Sequence, residues 1–203
     1  MNEYKMKFIH KRDRKMNKKN ELLAAAREVF AEKGYKAAGI SDIAKRSQMA
    51  VGSFYKYYES KEAIFLEVYI AENSRIREEI MRRVDWQGEP EAIVEQLFAV
   101  TFELISPNKI LAEWNKPGIS QILHDYYNQD AGRASNTFHQ FLIQTFSQRL
   151  QEEGFSKEKI AEIMKVYDLI YYIDMHVTEQ EFSGYFDSLE TLVKYFVKGI
   201  FSK

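Results

Sequence analysis

The residues with the most chemistry to offer lie in the stretch 41–61, SDIAKRSQMAVGSFYKYYESK. Ile43 and Ala44 form the inward apolar step of one short helix, with Asp42, Lys45, Arg46 and Ser47 polar around them. A break follows at Gln48-Met49-Ala50, and then 51–58 packs four aromatic rings, one Gly, one Ser and one Lys into eight residues. Phe54 and Tyr58 are four apart and share the core-facing side of a second helix. That leaves Ala50, Val51, Ser53, Lys56 and Tyr57 on another face. Hydroxyls and an ammonium suit phosphates, and small residues let a helix backbone approach base edges in a major groove. The pattern predicts a helix-turn-helix, whose chemistry is non-covalent.

Covalent chemistry is poorly provided for. The chain has no phosphate loop, no nucleophile elbow and no HExxH motif. It has no cysteine, which excludes disulfides and thiolate metal sites. Its four histidines, His10, His124, His139 and His176, stand far apart. His124-Asp125 and His139 could meet at one metal only by folding, without any ligand spacing to support it, and they read as ordinary core or surface groups. Glu78-Glu79 and Glu152-Glu153 read as exposed helix charges. No enzyme activity, catalytic residue, metal or cofactor is expected. A pocket is expected after Pro90, where Phe98, Phe102, Trp114, Tyr126, Tyr127, Phe138, Tyr167, Tyr171 and Tyr172 concentrate rings. Ligand sites are mostly apolar with a few placed polar groups, and Asp168 or Asp174 could supply them. The expected ligand set is Phe98, Phe102, Trp114, Tyr127, Phe138, Tyr167 and Tyr171, the competing account being plain core packing.

Charge is distributed unevenly along the 203 residues. Residues 1–60 hold 14 Lys/Arg against 7 Asp/Glu, and residues 61–203 hold 15 against 23. A basic end that neutralises phosphates, joined to an acidic body, suits a nucleic-acid module on a second domain. Hydrophobic content of 45% is that of a globular chain. No apolar run approaches a membrane span and no signal peptide is seen, so a cytoplasmic protein without membrane contact is expected.

The elements that must position the 41–61 stretch are helical throughout. Residues 1–17 read as a basic tail. A first helix at 18–33 carries Leu22, Ala26, Val29 and Phe30 at helical spacing, ended by Gly34 as a left-handed cap and followed by Tyr35. Ser60 caps a long helix running to about residue 84. Further helices are expected at 90–105, 119–127, 131–153, 157–177 and 184–201, with Pro90 in the first turn of its helix. Domain boundaries are expected at 18–64 and 65–203. The 157–177 helix is apolar nearly all round, so it needs cover on both sides. Its Ile163, Val166, Ile170 and Ile173, with Leu189, Val193, Phe196 and Ile200 of the last helix, form the expected dimer face.

Three blocks carry a family resemblance: LLAAAREVFAEKGY from Leu22, ISDIA at 40–44 and VGSFYKYYESKE at 51–62. Their order and spacing resemble the DNA-binding domain of the tetracycline-repressor (TetR) family, over roughly residues 18 to 65. Departures are Gln48 where the family usually has Gly, Ala50 where Ser or Thr often opens the recognition helix, and Ala38-Gly39 where hydroxyls are common. The resemblance implies an all-α fold: a three-helix helix-turn-helix domain and a C-terminal helical domain for effector binding and dimerisation. It implies DNA contact through Ser41, Ala50, Val51, Gly52, Ser53, Tyr55, Lys56, Tyr57 and Lys61, with Lys61 on a phosphate; Val51, being apolar, is expected against a thymine methyl. It further implies a homodimer joined through a four-helix bundle, repressing from a palindromic operator on double-stranded DNA and released by a small apolar or aromatic effector. The alternative is the same fold controlled by a protein partner, or without any small-molecule effector.

Overall fold

The computed structural model describes residues 3–116, 118–129 and 136–202, with side chains from residue 15 onward. Every regular element among the described residues is helical. The chain divides into two compact units, residues 1–74 with 108–119, and residues 75–107 with 120–203.

In the first unit, α1 (Glu3–Ala37) begins well before the expected start at 18. Residues 3–33 contain no Pro or Gly to stop a helix, so the segment expected as a tail continues α1. Gly34, at φ 74° and ψ 173°, breaks it where a left-handed residue was expected. α2 (Ile40–Arg46) starts at Gly39, whose amide donates to Asp42 Oδ2 at 3.0 Å. It ends in a Schellman turn: Met49 N–H donates to Ala44 O at 2.8 Å and Gln48 N–H to Lys45 O at 3.1 Å. That turn puts Gln48 at φ 54°, a conformation that favours glycine.

α3 (Val51–Phe54) is a single turn, shorter than the 51–58 segment expected. Tyr57 and Tyr58 amides still donate to Phe54 O, at 2.9 and 3.1 Å. α4 (Lys61–Arg83) follows, and Ser60 Oγ accepts from Ala63 N–H at 3.1 Å as an N-cap should. The core beneath these helices is Leu22, Ala26, Val29, Phe30, Ile43, Ala44, Phe54, Ile64, Phe65 and Val68, all within 1% of full burial. Phe30 meets the edge of Phe65 at 4.9 Å.

The expected boundary at 64/65 falls inside α4, and the unit instead continues to Ser74 and takes in 108–119. Polar partners explain why. Asn108 Nδ2 donates to Glu72 Oε1 at 2.8 Å, and Arg27 holds the other oxygen of that buried carboxylate at 2.8 Å. Glu113, also buried, accepts from the Tyr35 amide just after the Gly34 break. Lys109 Nζ donates to Glu32 O at 2.6 Å, and Trp114 stacks on Tyr69.

The second unit holds α5 (Pro90–Ile105), α6 (Ser120–Asn128), α7 (Thr137–Glu152), α8 (Lys157–His176) and α9 (Tyr185–Phe201). Pro90 opens α5, and the side chains of Asn136 and Ser156 cap α7 and α8. The 131–135 part of the helix expected at 131–153 lies outside the described residues. α5 packs on α9, joining Val94 and Phe98 to Leu189 and Val197. α7 and α8 run antiparallel, since His139 stacks on Tyr171 while Ser147 reaches Met164. No helix among the described residues is long and apolar enough to cross a membrane.

The left-handed turn between α2 and α3 gives a direct test. Gln48→Gly should raise the stability of the chain by up to about 1 kcal/mol, and Gln48→Val lower it by about as much, in urea unfolding.

Candidate functional site

Two short helices present the first candidate surface. α2 and α3 are pinned from below by Ile43, Ala44 and Phe54, while Tyr58 turns inward and donates its hydroxyl to Glu67 at 2.9 Å. This leaves Ser41, Ala50, Val51, Gly52, Tyr55 and Lys56 exposed, with Ser53 and Tyr57 half-buried. A Cβ built on Gly52 would meet nothing within 4 Å, so its smallness serves the open side rather than the core. The side chains expected to read DNA thus share one open surface, with one qualification.

Lys61 is half-buried, and its Nζ donates to Tyr35 O at 3.0 Å and Ala38 O at 3.1 Å while sitting 4.2 Å over the Tyr35 ring. It caps the carbonyls that follow the Gly34 break, and one N–H of the ammonium is left for any phosphate. Tyr35 is tied down further by its hydroxyl, which donates to Glu62. Burial and that carboxylate push the phenol well above its ordinary range, and the same bond holds Glu62 low.

Other cations of the unit are also committed. Arg46 bridges Glu28 at 2.8 Å and Glu32 at 2.9 Å, and its guanidinium holds the Glu32 carboxyl below the usual range. Lys33 pairs with Asp42 and Lys19 with Glu67, each at 2.9 Å. Among the described residues of the first unit, Lys15, Lys36, Lys45 and Lys56 are exposed cations held by neither a carboxylate nor a carbonyl. Of these, Lys36, Lys45 and Lys56 flank or belong to the α2–α3 segment.

The second candidate is a cavity of about 630 Å³ in the second unit, walled by α5, α7, α8 and α9. Of the seven expected ligand residues, Phe98, Phe138, Tyr167 and Tyr171 line it. Three do not. Phe102 is 60% exposed and rests on Phe186, Tyr127 is buried beneath the Arg77 guanidinium, and Trp114 belongs to the first unit. The wall is completed by rings that sequence spacing did not single out, among them Trp86, Phe141 and Phe186. Phe141 sits one helical turn from the expected Phe138, while Trp86 lies in the turn before α5 and Phe186 on α9, and spacing alone does not separate a cavity wall from a packed core.

On one side of the cavity the polar groups are organised. Asn136 Nδ2 donates to the Tyr171 hydroxyl at 2.7 Å, and its Oδ1 accepts from Arg77 and from the His139 amide. His139 stacks 3.6 Å from Tyr171, with the Tyr167 hydroxyl 3.2 Å from Nδ1. Burial lowers the pKa of His139, favouring the neutral ring.

The residues expected at a dimer face divide between two sides. Ile170, Leu189, Val193 and Phe196 line the cavity, Ile163 is buried, and Ile173 and Ile200 are half-buried. Val166 is exposed, as are Leu169 and Tyr172 of α8 and Leu192 and Tyr195 of α9, apolar side chains that were not in the expected set.

Comparison with known proteins places the first unit. Residues 22–68 match the bacterial regulatory proteins of the tetR family. Over 64 residues the chain is 36% identical to the HTH-type transcriptional regulator QacR of Staphylococcus aureus, covering 32% of this chain and 34% of that protein. It is 48% identical over 56 residues to the HTH-type regulator YvdT of Bacillus subtilis, covering 28% of each. These matches span about a third of the curated relatives' length. The full helical fold is shared with a TetR-family protein of Mesorhizobium loti MAFF303099, at TM-score 0.51, 21% identity and coverage of 91% and 95% of the two chains. A transcriptional regulator of Rhodococcus sp. RHA1 gives TM-score 0.54, 17% identity, and 89% and 95% coverage. Residues 22–68 are thus a helix-turn-helix domain of the tetR type, and the match to curated relatives lies in that domain.

Two measurements follow. Lys61→Met should lower stability by about 1–2 kcal/mol in urea unfolding, because two backbone carbonyls lose a charged donor; Lys56→Met should leave stability within about 0.5 kcal/mol. For His139 the folded pKa lies below the unfolded one, so its neutral ring favours folding above pH ~6.5, and this contribution is lost as pH falls below that value. A thermal melt series from pH 7.5 to 5.5 should therefore fall less steeply for His139→Phe than for the parent chain.

Proposed function

We propose that the chain is a dimeric, sequence-specific DNA-binding regulator, a cytoplasmic repressor that leaves a palindromic operator when a small apolar or aromatic compound fills the cavity. The observation that carries this reading is the open α2–α3 surface: small, hydroxyl-bearing and cationic side chains outside, Phe54 and Tyr58 locked inside. Ser41, Ala50, Val51, Gly52 and Ser53 approach base edges and nearby phosphates, while Tyr55, Lys56, Tyr57 and the remaining N–H of Lys61 hold the backbone.

Dimerisation is supported by the exposed apolar side chains Val166, Leu169, Tyr172, Leu192 and Tyr195 on the last two helices. A two-fold pair of recognition helices would address half-sites about 34–36 Å apart, so a shift of a few ångströms on effector binding spoils simultaneous docking. The cavity, mostly apolar and of ligand size, is the place for that effector.

The experiment is a salt series of binding to DNA from just upstream of the coding region, against scrambled DNA. Lys36, Lys45, Lys56 and Lys61, two copies of each in a dimer, set a slope of log affinity against log salt of about −7. Tight preference for the upstream DNA at two chains per palindrome supports the reading; equal binding to both DNAs removes sequence recognition from it. Within the same assay, Val51→Ala should relax preference at one base pair and leave the salt slope unchanged. Unaltered preference at every position removes Val51 from base readout. Thermal shifts that stay flat across a panel of apolar and aromatic compounds would favour control by a protein partner instead.

A further inference from the structure

We propose that the part of α1 ahead of its core contacts is a second DNA-binding element, a basic helix that lies along the phosphate backbone beside the α2–α3 surface. The inference rests on the reading of that surface as a DNA interface and adds a phosphate site to it.

α1 is one continuous helix from Glu3 to its break at Gly34, and its burial begins late. Leu22 is fully buried, whereas Lys15, Met16, Asn17 and Lys18 are all exposed. Consecutive residues of a helix lie about 100° apart, so these four sample every side of α1, and none is covered at that level. From residue 15 back to Glu3 the helix runs on for about 18 Å beyond the core.

Contacts inside the unit fix where this extension departs. Lys19 Nζ sits 5.0 Å over the Tyr58 ring and bonds Glu67 at 2.9 Å. Tyr58 closes the outward-facing segment that carries Tyr55, Lys56 and Tyr57. The extension therefore leaves the unit beside that end of the α2–α3 surface. Lys15, one turn before Lys19, is an exposed cation that no carboxylate holds.

The charge pattern says what the extension is for. Residues 3–17 hold Lys5, Lys7, Lys11, Arg12, Arg14 and Lys15 against only Glu3 and Asp13. Residues 7, 11, 14 and 18 step 4-3-4, which places four cationic residues on one line along the helix, with residue 15 beside it. Like charges then recur three or four apart, at 7 and 11, 11 and 14, 11 and 15, and 14 and 18. Each such pair disfavours the helix, and of the two acids only Glu3, four before Lys7, is spaced to offset one. A helix with this repulsion and no core beneath it gains most from a polyanion, whose phosphates cancel the repulsion and release counterions as they bind. The line from 7 to 18 is about 16 Å long, the axial rise of about five phosphates of one strand.

An anionic membrane would ask for an apolar face as well. Helical spacing puts Tyr4 and Phe8 on one side of the extension, Ile9 and Met16 on another and Met6 on a third, so no such face exists. DNA is the polyanion that the neighbouring surface already suits.

The test is a salt series of binding by the full chain to the upstream DNA and to scrambled DNA. Lys36, Lys45, Lys56 and Lys61 supply a slope of about −7, and residues 7, 11, 14 and 15 of each protomer add as much again, so the parent chain should give about −14. A chain carrying Lys7→Gln, Lys11→Gln, Arg14→Gln and Lys15→Gln should return to about −7 and bind both DNAs at least about tenfold more weakly. Its preference for the upstream DNA should stay within about twofold, because phosphate contacts carry no sequence. Met16→Pro keeps every cation but starts the helix at residue 16. It should lose helical circular dichroism and weaken DNA binding at least about fivefold. Thermal midpoints of both variants should match the parent, since no core residue is touched. A fourfold variant with the parent's slope overturns the proposal and leaves the helix-turn-helix reading standing; co-sedimentation of the parent, but not of that variant, with phosphatidylserine vesicles would then assign the cations to a membrane. Parental binding by Met16→Pro overturns the helical element in favour of a basic tail. If the parent chain itself binds neither DNA, the DNA-binding reading fails with it.

Discussion

The helices that face outward from the first unit are seven and four residues long, and helices that short do not persist in water by themselves. Their geometry depends on burying Ile43 and Ala44 from one and Phe54 from the other against α1 and α4. Each large side chain so buried is worth roughly 1.5–3 kcal/mol, enough to orient a helix that has no stability of its own. The Phe30–Phe65 contact and the Tyr35 ring close that core, and Lys61 and Glu113 satisfy the backbone groups exposed where Gly34 breaks α1. The outer surface is a property of the core beneath it.

Electrostatics refines this. The excess of basic residues in 1–60 overstates what is available to a phosphate, because Lys19, Arg27, Lys33 and Arg46 each hold a carboxylate. Exposed pairs of this kind add little to stability. Their larger consequence is to cancel positive potential away from α3 and leave it where Lys36, Lys45 and Lys56 stand unpaired. The ion pairs thereby shape the field that a polyanion meets.

Much of the helical layout was legible because its signals are local. Ser60, Ser156 and Pro90 open the helices they were expected to open, and Gly34 breaks α1 at the expected position, at positive φ but with ψ extended rather than left-handed helical. Gln48 stood at a break between two short helices, and its positive φ there is one that glycine adopts without strain. The placement of 108–119 in the first unit was not legible, since it rests on Asn108 meeting Glu72 and Glu113 meeting Tyr35, pairs 36 and 78 residues apart. No periodicity encodes contacts at that range. The same limit applied to the cavity: the density of rings was visible, but Trp114 and Tyr127 went to packing elsewhere, and Trp86 and Phe141 went to the wall.

α8 shows why one apolar helix misleads and what its two faces entail. It carries two interleaved stripes, 167-170-171-174 toward the cavity and 166-169-172 outward. Both keep helical spacing, so the 3-4-3 seam drawn from sequence took Val166 from the outer stripe and Ile170 from the inner one. The distinction matters because a helix moves as a stiff body. Packing side chains are bistable rather than continuously deformable, so a molecule that repacks Tyr167 or Tyr171 inside displaces Val166, Leu169 and Tyr172 outside by a similar amount. A ligand in the cavity and a second copy on the outer face would therefore each bias the position of the same helix, and the coupling between them would be reciprocal.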